Sequence, residues 1–357
     1  MNHADLLTIV EKGLLAPSAD NLQPWKFKVT SGSVELFLDR SRIKNFCDEG
    51  YFVPYLSAGA VIENMRIAGR RLGYQFSTFH LPQANEPLHI ATLRFDKTKK
   101  EPHPHFDALN MRTTNRKFYN RSQIIDETIY LKLSNLVEAE HETKLLWIKK
   151  NELPYQALSR LLGSADQLRF EQKRLHREFN ETLRINPKEA EKTKDGLDLR
   201  TLEAGFFGNL LFKTTRSWKW MNCFNMLGAS TAINFYTQMQ LNSSQAVGLI
   251  VSKSNRPIDY LHGGEIMERT WHEITMQKLA IQPLEALPIF IINFNLTGGR
   301  DFSAAQREKL KRMKQEFLSL FQINDQMGLI FLFRIGYASP PRIHSFRRPL
   351  EEFLIES

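Results

Sequence analysis

The chain has 357 residues, 42% of them hydrophobic, and a net charge of +9 at pH 7, enough apolar material for one large or two ordinary cores and no sign of disorder. The basic surplus suits nucleic acid, an anionic membrane or a phosphorylated cofactor. Lys and Arg are spread along the sequence without zinc-finger spacing, an RNP-like aromatic motif or basic heptads, so nucleic acid is not the expected partner. The opening MNHADLLTIVEKG places Asp5 and Glu11 where a signal peptide needs a basic and then an apolar run. The uncharged run 221–252 is interrupted by Asn222, Asn225, Asn234, Gln238, Gln240, Asn242 and Gln245, too many amides for a membrane span. A cytoplasmic chain without an integral membrane segment is expected. Cys47 and Cys223 stand far apart with no metal-ligand spacing and read as small core residues.

In chain order, Leu6, Leu7, Val10 and Leu14 predict an opening helix over 3–14. The stretch APSADNLQPWKF (16–27) then concentrates Pro17, Ser18, Asn21, Gln23, Pro24 and Trp25. It is either a capped turn leading into a strand or a set of small polar groups that hold something. KFKV and VELFLD around Thr30-Ser31-Gly32-Ser33 predict a hairpin, 54–72 a broadly apolar helix ending at Gly73, and QFSTFHL and HIATLRF two more strands. KTKKEPHPHF (97–106) reads as a linker, and its HPH tract (His103 to His105) as a solvated loop; no metal site is expected.

Beyond the linker the pattern predicts a helix over 126–139, a strand KLLWIKK and a long helix over 152–183. A polar, irregular stretch follows (183–205), and then GFFGNLLFKTTRSWKWMNCFNMLG, where aromatics alternate with Lys213, Arg216 and Lys219. Next come a strand AVGLIVSK, a helix EIMERTWHEITMQKLA, a strand PIFIINF, a helix over 303–321 and a last strand GLIFLFRIGYA. Helices and strands mix without regular βα alternation, which indicates an α+β fold. A faint echo at an offset of 205 residues lays Gly59 over Gly264 and Glu63 over Glu268, hinting at two related halves.

APSADNLQPWKF resembles the APSxxNxQPW signature of the FMN-dependent nitroreductase family. RTTNRKF (112–118) is similar to that family's arginine-bearing phosphate motif, MERTWHEITMQKLAIQPLEAL (267–287) to its central helix and flavin-contacting loop, and FRIGYASPPRIHSFRRPLEEFL (333–354) to its closing strand and basic terminus. In single-domain members the arginine motif precedes APSxxNxQPW; here it follows, as in the two-halved, Acg-like branch where one chain imitates a homodimer. The resemblance implies a nitroreductase-like α+β fold forming an intramolecular pseudo-dimer. Residues 1–100 would be an abbreviated half donating Pro17, Ser18 and Asn21, and 107–357 the fuller half with a lid-like insertion around 184–230. It further implies bound FMN, NAD(P)H as donor, an electron-poor nitroaromatic or quinone as small-molecule acceptor, and ping-pong turnover at flavin N5. The loop Gln282-Pro283-Leu284-Glu285 would offer N5 a backbone N–H. The protein would be a monomeric pseudo-dimer or a homodimer.

The chemistry of the residues agrees. A phosphate dianion wants guanidinium groups; Arg112 and Arg116 share a face if their segment starts a helix, with Thr113 between them, and Arg347 or Arg348 would approach from the other side. Ser18 and Asn21 are short neutral partners for a ribityl chain or ring edge, and Gln23 for the ring or for local backbone. Pro283, Leu284 and Glu285 complete the expected cofactor-binding set. No catalytic side chain is required, since the flavin itself carries the electrons. The aromatic segment from Gly205 reads as a lid over the flavin cleft, with a membrane-surface helix as the alternative. Rival functions are an FMN-sequestering protein with little turnover and a cofactor-free interaction or membrane-surface module.

Overall fold

The computed structural model describes residues 2–43, 49–82, 86–140 and 142–355. The first part contains α1 (His3–Gly13), β1 (Trp25–Val29), β2 (Ser33–Leu38), α2 (Phe52–Leu72), β3 (Tyr74–His80) and β4 (His89–Lys97). After α3 (Ala108–Met111) and α4 (Glu127–Glu138) come β5 (Thr143–Lys149), α5 (Pro154–Glu171), α6 (Lys173–Thr182), β6 (Leu183–Arg184), α7 (Pro187–Thr193) and β7 (Leu197–Asp198). Then follow α8 (Gly205–Thr214), α9 (Trp218–Met226), α10 (Ala229–Asn242), β8 (Ala246–Ser252), α11 (Pro257–Met276) and β9 (Ala280–Pro283). The chain closes with α12 (Ala286–Thr297), α13 (Ala304–Phe321) and β10 (Gly328–Gly336).

The fold is α+β, and its two main sheets repeat one plan. The first is four-stranded in the order β1-β2-β4-β3, the second four-stranded in the order β5-β8-β10-β9, with every pairing antiparallel. In each, a long helix links the second strand to the edge strand, α2 in one and α11 in the other. The second unit is larger because α5–α10 are inserted between β5 and β8, and α12–α13 between β9 and β10.

The two long helices lie side by side and parallel, from Phe52 against Tyr260 near their starts to Asn64 against His272 further along. Both are buried along most of their length, polar residues such as Glu63, Asn64, Glu268 and His272 included. Their closest approach obeys the 205-residue offset: a Cβ on Gly59 would lie 2.1 Å from the Leu261 carbonyl oxygen, and one on Gly264 2.1 Å from that of Leu56. Residue 56 plus 205 is 261, and 59 plus 205 is 264, so the same pair of positions meets its own counterpart across the contact. That is the signature of a two-fold interface, here within one chain.

The C-terminal tail then crosses back to the first unit. Leu354 bridges Phe27 in parallel, and the Ile355 N–H donates to the Phe27 carbonyl at 2.8 Å.

Several expectations are corrected. PIFIINF lies in α12, an apolar run whose lack of periodicity allowed either state. The long helix after 152 breaks at Gln172, which adopts extended angles (φ −107°, ψ 118°) and caps α6 by accepting the Leu175 N–H. The irregular stretch orders into α7 between β6 and β7. With α6 and α9 it closes a small second core of Phe170, Phe179, Leu183, Leu197, Leu199 and Met221. The HPH tract is solvated only in part: Pro104 is exposed, but His105 is buried and hydrogen-bonded to Glu273 at 2.9 Å, and partial burial pushes His103 down to about 4. Cys223 is half-buried on α9 rather than in a core; Cys47 lies outside the described residues.

Replacing Gly264 with Ala should destabilise the protein by about 1–3 kcal/mol, although alanine favours an isolated helix by about 1 kcal/mol over glycine. Denaturant unfolding of Gly264→Ala checks this; an unchanged or raised midpoint would show that the helices do not meet as described.

Candidate functional site

The segment after α1 is a tight, left-handed turn. Asp20, Asn21 and Gln23 have φ of 47°, 55° and 53°, a conformation that costs an L-residue roughly 1–2 kcal/mol. Local hydrogen bonds offset the cost. Ser18 Oγ accepts the Gln23 N–H at 2.9 Å, and Thr182 donates to the Asp20 carboxylate at 3.0 Å. The Gln23 amide donates to the Lys194 carbonyl at 2.9 Å, and Gly196 donates to the Asn21 carbonyl at 3.3 Å. Pro17, half-buried, opens this turn.

The tail reaches the same turn from the far end of the sequence. The Asn21 amide donates to the Phe346 carbonyl at 3.0 Å and accepts from Arg347 at 2.8 Å, while the Arg348 N–H donates to Gln23 Oε1 at 3.0 Å. Arg347 also donates to the carbonyls of Leu14, Leu15 and Ala16 at 2.9, 3.2 and 3.1 Å. Arg112 donates to the Leu15 carbonyl at 2.7 Å. Two guanidinium groups thus converge on one carbonyl. Burial, aggravated by the Arg112 charge, pushes Arg347 down to about 9.

One carboxylate faces this pair. Glu268, fully buried on α11, lies 3.0 Å from Arg112 Nε and 3.5 Å from His272 Nε2, and burial raises it to about 7. His272 is held neutral by burial and contacts Asn64 of α2 at 2.7 Å, while Arg112 lies over the Trp271 ring at 4.8 Å. Arg112 Nε is buried without a well-aligned hydrogen-bond acceptor. Buried Arg112, half-buried Arg347, one reluctant carboxylate and an unmatched donor make a basin of positive potential that fits an anion.

The structure does not pair Arg112 with Arg116. The segment is not a helix start: α3 ends at Met111, and Arg112 is extended (φ −58°, ψ 125°), so no helix N-terminus adds amides and the two side chains diverge. Arg116 turns instead to the inserted segment. It donates to the Thr201 carbonyl at 3.0 Å, its N–H donates to Glu203 at 3.2 Å, and the Asp20 and Glu203 carboxylates offset the burial that lowers it. Arg348 is held by the Gln23 carbonyl at 3.2 Å and Glu352 at 3.3 Å. Thr113 is half-buried in the extended stretch between Arg112 and Asn115, whose N–H donates to the Ile281 carbonyl at 2.8 Å. That bond sets the arginine segment beside β9 and the loop Gln282–Glu285.

Within that loop Leu284 offers no free N–H, because it donates to the Leu332 carbonyl at 2.8 Å. Pro283 pairs with Phe333 at the end of β9. Glu285 accepts the Leu332 N–H at 2.9 Å and is pushed up to about 8 by burial. The lid expectation also shifts: residues 194–203 cover the turn and Arg116, whereas α8 buries no side chain completely and packs Phe212 against the small second core.

Sequence reasoning missed Arg334, which is fully buried. It donates to Gln282 at 2.7 Å, to the Gln240 carbonyl at 2.8 Å and to the Lys117 carbonyl at 2.8 Å, tying β9, α10 and the arginine segment together. A single cation in the apolar run GLIFLFRIG was the available signal. A cavity of about 250 Å³ lies at the other end of the paired helices, among Phe52, Tyr260, Ile291, Leu296 and Met327, and touches none of the expected site residues. Among the described residues no group of His, Cys, Asp or Glu is arranged to hold a metal ion.

No family model matches the chain. An uncharacterised protein of Mycobacterium tuberculosis (strain CDC 1551 / Oshkosh) is 27% identical over 351 residues, which cover 95% of this chain and 47% of the relative. The chain therefore spans about half the length of that curated relative. The protein named "Putative NAD(P)H nitroreductase acg" of the same organism is 32% identical over 110 residues, in the N-terminal part of this chain, covering 30% of it and 33% of the relative. The chain resembles the FMN-dependent nitroreductases, Acg-like branch. Among solved structures, the FMN- and NADPH-dependent nitroreductase NfnB of Sphingopyxis sp. strain HMH aligns with 71% of this chain and 99% of its own at 12% identity and a TM-score of 0.41. NfnB of Mycobacterium smegmatis in complex with NADPH aligns with 71% and 98% at 11% identity and a TM-score of 0.39.

Glu285 gives a pH test. In the unfolded chain a glutamate ionises near about 4.3, whereas here it stays protonated up to about 8. The folded state therefore binds the extra proton, and Glu285 costs stability progressively as pH rises between those values, with no further change above them. Glu285→Gln, which still accepts the Leu332 N–H, should match the parent near pH 4 and exceed it at pH 8 by on the order of a few kcal/mol. Chemical denaturation at both pH values checks this; equal stability at pH 8 would place the carboxyl in water.

Proposed function

We propose that the chain is a cytoplasmic FMN-dependent oxidoreductase that uses NAD(P)H to reduce electron-poor small molecules of nitroaromatic or quinone type in two half-reactions. Residues 1–100 act as the abbreviated half and 107–357 as the fuller half of an internal pseudo-dimer. The observation that carries the reading is the convergence of Arg112 and Arg347 on the Leu15 carbonyl, beside the turn that holds Ser18 and Asn21.

Arg112 and Arg347 would hold the phosphate, which replaces Glu268 as their counter-charge while Glu268, already near neutrality, takes a proton. Ser18 and Asn21 would serve the ribityl chain and ring edge, β9 with Pro283 and Glu285 would border the ring, and Gln23, fully buried with its amide bound to Lys194 and Arg348, would hold the turn in place. When bound, the flavin supplies the hydride chemistry, for which no side chain here is suited. Arg334 fixes the distance between β9 and the arginine segment, and residues 194–203 shield the turn from water. The contacts made by 194–203 also favour a second reading, in which the flavin is sequestered with little turnover.

Protein purified with FMN should keep flavin absorbance after desalting, and NADH or NADPH should bleach it under anaerobic conditions. Arg112→Ala and Arg347→Ala should each weaken FMN retention by about 10–100-fold, the worth of one charge-assisted hydrogen bond. Steady NAD(P)H oxidation with a nitroaromatic or quinone acceptor identifies an enzyme; firmly held flavin that stays idle identifies sequestration. Undiminished retention in both variants would remove the arginine pair from the site.

A further inference from the structure

We infer that α8 and α9 form a docking surface for an anionic lipid bilayer. The two helices, of 10 and 9 residues, follow each other across Thr215–Ser217 and sort their apolar side chains in opposite directions. Phe212, Trp218 and Met221 turn inward onto the small core around Phe170 and Phe179. Phe206 and Phe207 are 78% and 83% exposed with their rings 5.6 Å apart, and Leu210, Trp220, Met226 and Leu227 are exposed as well. The inward set anchors the segment; the outward set has no cover among the described residues.

The charges say what the surface meets. Lys213, Arg216 and Lys219 are exposed among these apolar groups, and none of them enters an ion pair among the described residues. Between Ala204 and Ile258 the sequence holds no Asp or Glu at all. Cationic side chains beside exposed Phe, Leu and Trp are the composition of a segment that lies in the headgroup region, with rings and methyl groups in the acyl boundary and ammonium or guanidinium groups at the phosphates. A membrane span is excluded for these helices by length, and no helix of the described residues is long and apolar enough to cross a bilayer.

A second copy of this chain fits less well. A two-fold contact through this face would set Lys213, Arg216 and Lys219 against the same cations, and the chain as a whole carries +9. The surface is also separate from the candidate site, whose cover comes from Lys194, Gly196, Thr201 and Glu203. Docking therefore does not depend on the proposed cofactor.

The test is flotation of the full chain with vesicles of phosphatidylcholine, alone or mixed with phosphatidylglycerol, at low and high salt. The parent should float with the mixed vesicles at low salt and much less with neutral ones or at high salt. The double variants Phe206→Ser/Phe207→Ser and Lys213→Glu/Lys219→Glu should each bind the mixed vesicles at least about tenfold more weakly while keeping the parent's thermal midpoint, since all four residues are exposed. Full binding by either folded variant, equal binding to neutral vesicles, or no flotation at low salt would overturn the inference. So would a parent homodimer that Phe206→Ser/Phe207→Ser converts to monomer.

Discussion

The close approach of α2 and α11 is the constraint on which the rest depends. At Gly59 and Gly264 backbone meets backbone, and any side chain there would force the helices apart. Their separation sets everything built on them: the Glu63–Arg269 pair at 2.9 Å, the Asn64–His272 contact at 2.7 Å, and the place of Glu268 beneath Arg112. A core packed this closely transmits displacement instead of absorbing it. Moving one helix would misplace the groups that α11 and α2 present to the turn after α1.

The second organising feature is an electrostatic imbalance. Arg112 is buried and Arg347 half-buried against carbonyl dipoles and a carboxyl group held near neutrality, whereas Arg269 is held strongly in its charged form by Glu63 and Glu140. Proteins keep such an arrangement where a charge is to be received, because an unmatched buried cation is costly otherwise. The strain stored in Asp20, Asn21 and Gln23 belongs to the same place.

Much of this was legible in the sequence. The hairpin, α2, the later part of α11 and most buried strands followed from periodicity and from Gly and Pro punctuation, while the start of α11 at Pro257 and the strand β9 did not; the 205-residue echo aligned Gly59 with Gly264, two residues that the structure brings together. The turn at Ser18–Gln23 and the tail at Arg347 and Arg348 were named, and the structure brings them together. What failed has physical reasons. PIFIINF is apolar throughout, so no period distinguished helix from strand. Spacing suggested that Arg112 and Arg116 act as a pair, but partners far away in sequence, Leu15 and Thr201, draw them apart. Burial of His105 depended on Glu273 arriving from α11, which no local pattern encodes.

The Gly59–Gly264 contact also bears on how the molecule responds to dilution. When two separate subunits share a binding crevice, lowering their concentration separates them and the crevice is lost. Here the matching surfaces are tethered within one polypeptide, so their effective concentration is set by the connecting chain and does not fall as the protein is diluted. Each repeat is also free to diverge, since a substitution in one is not copied into the other; the extra helices inserted in the second unit alone show that freedom in use.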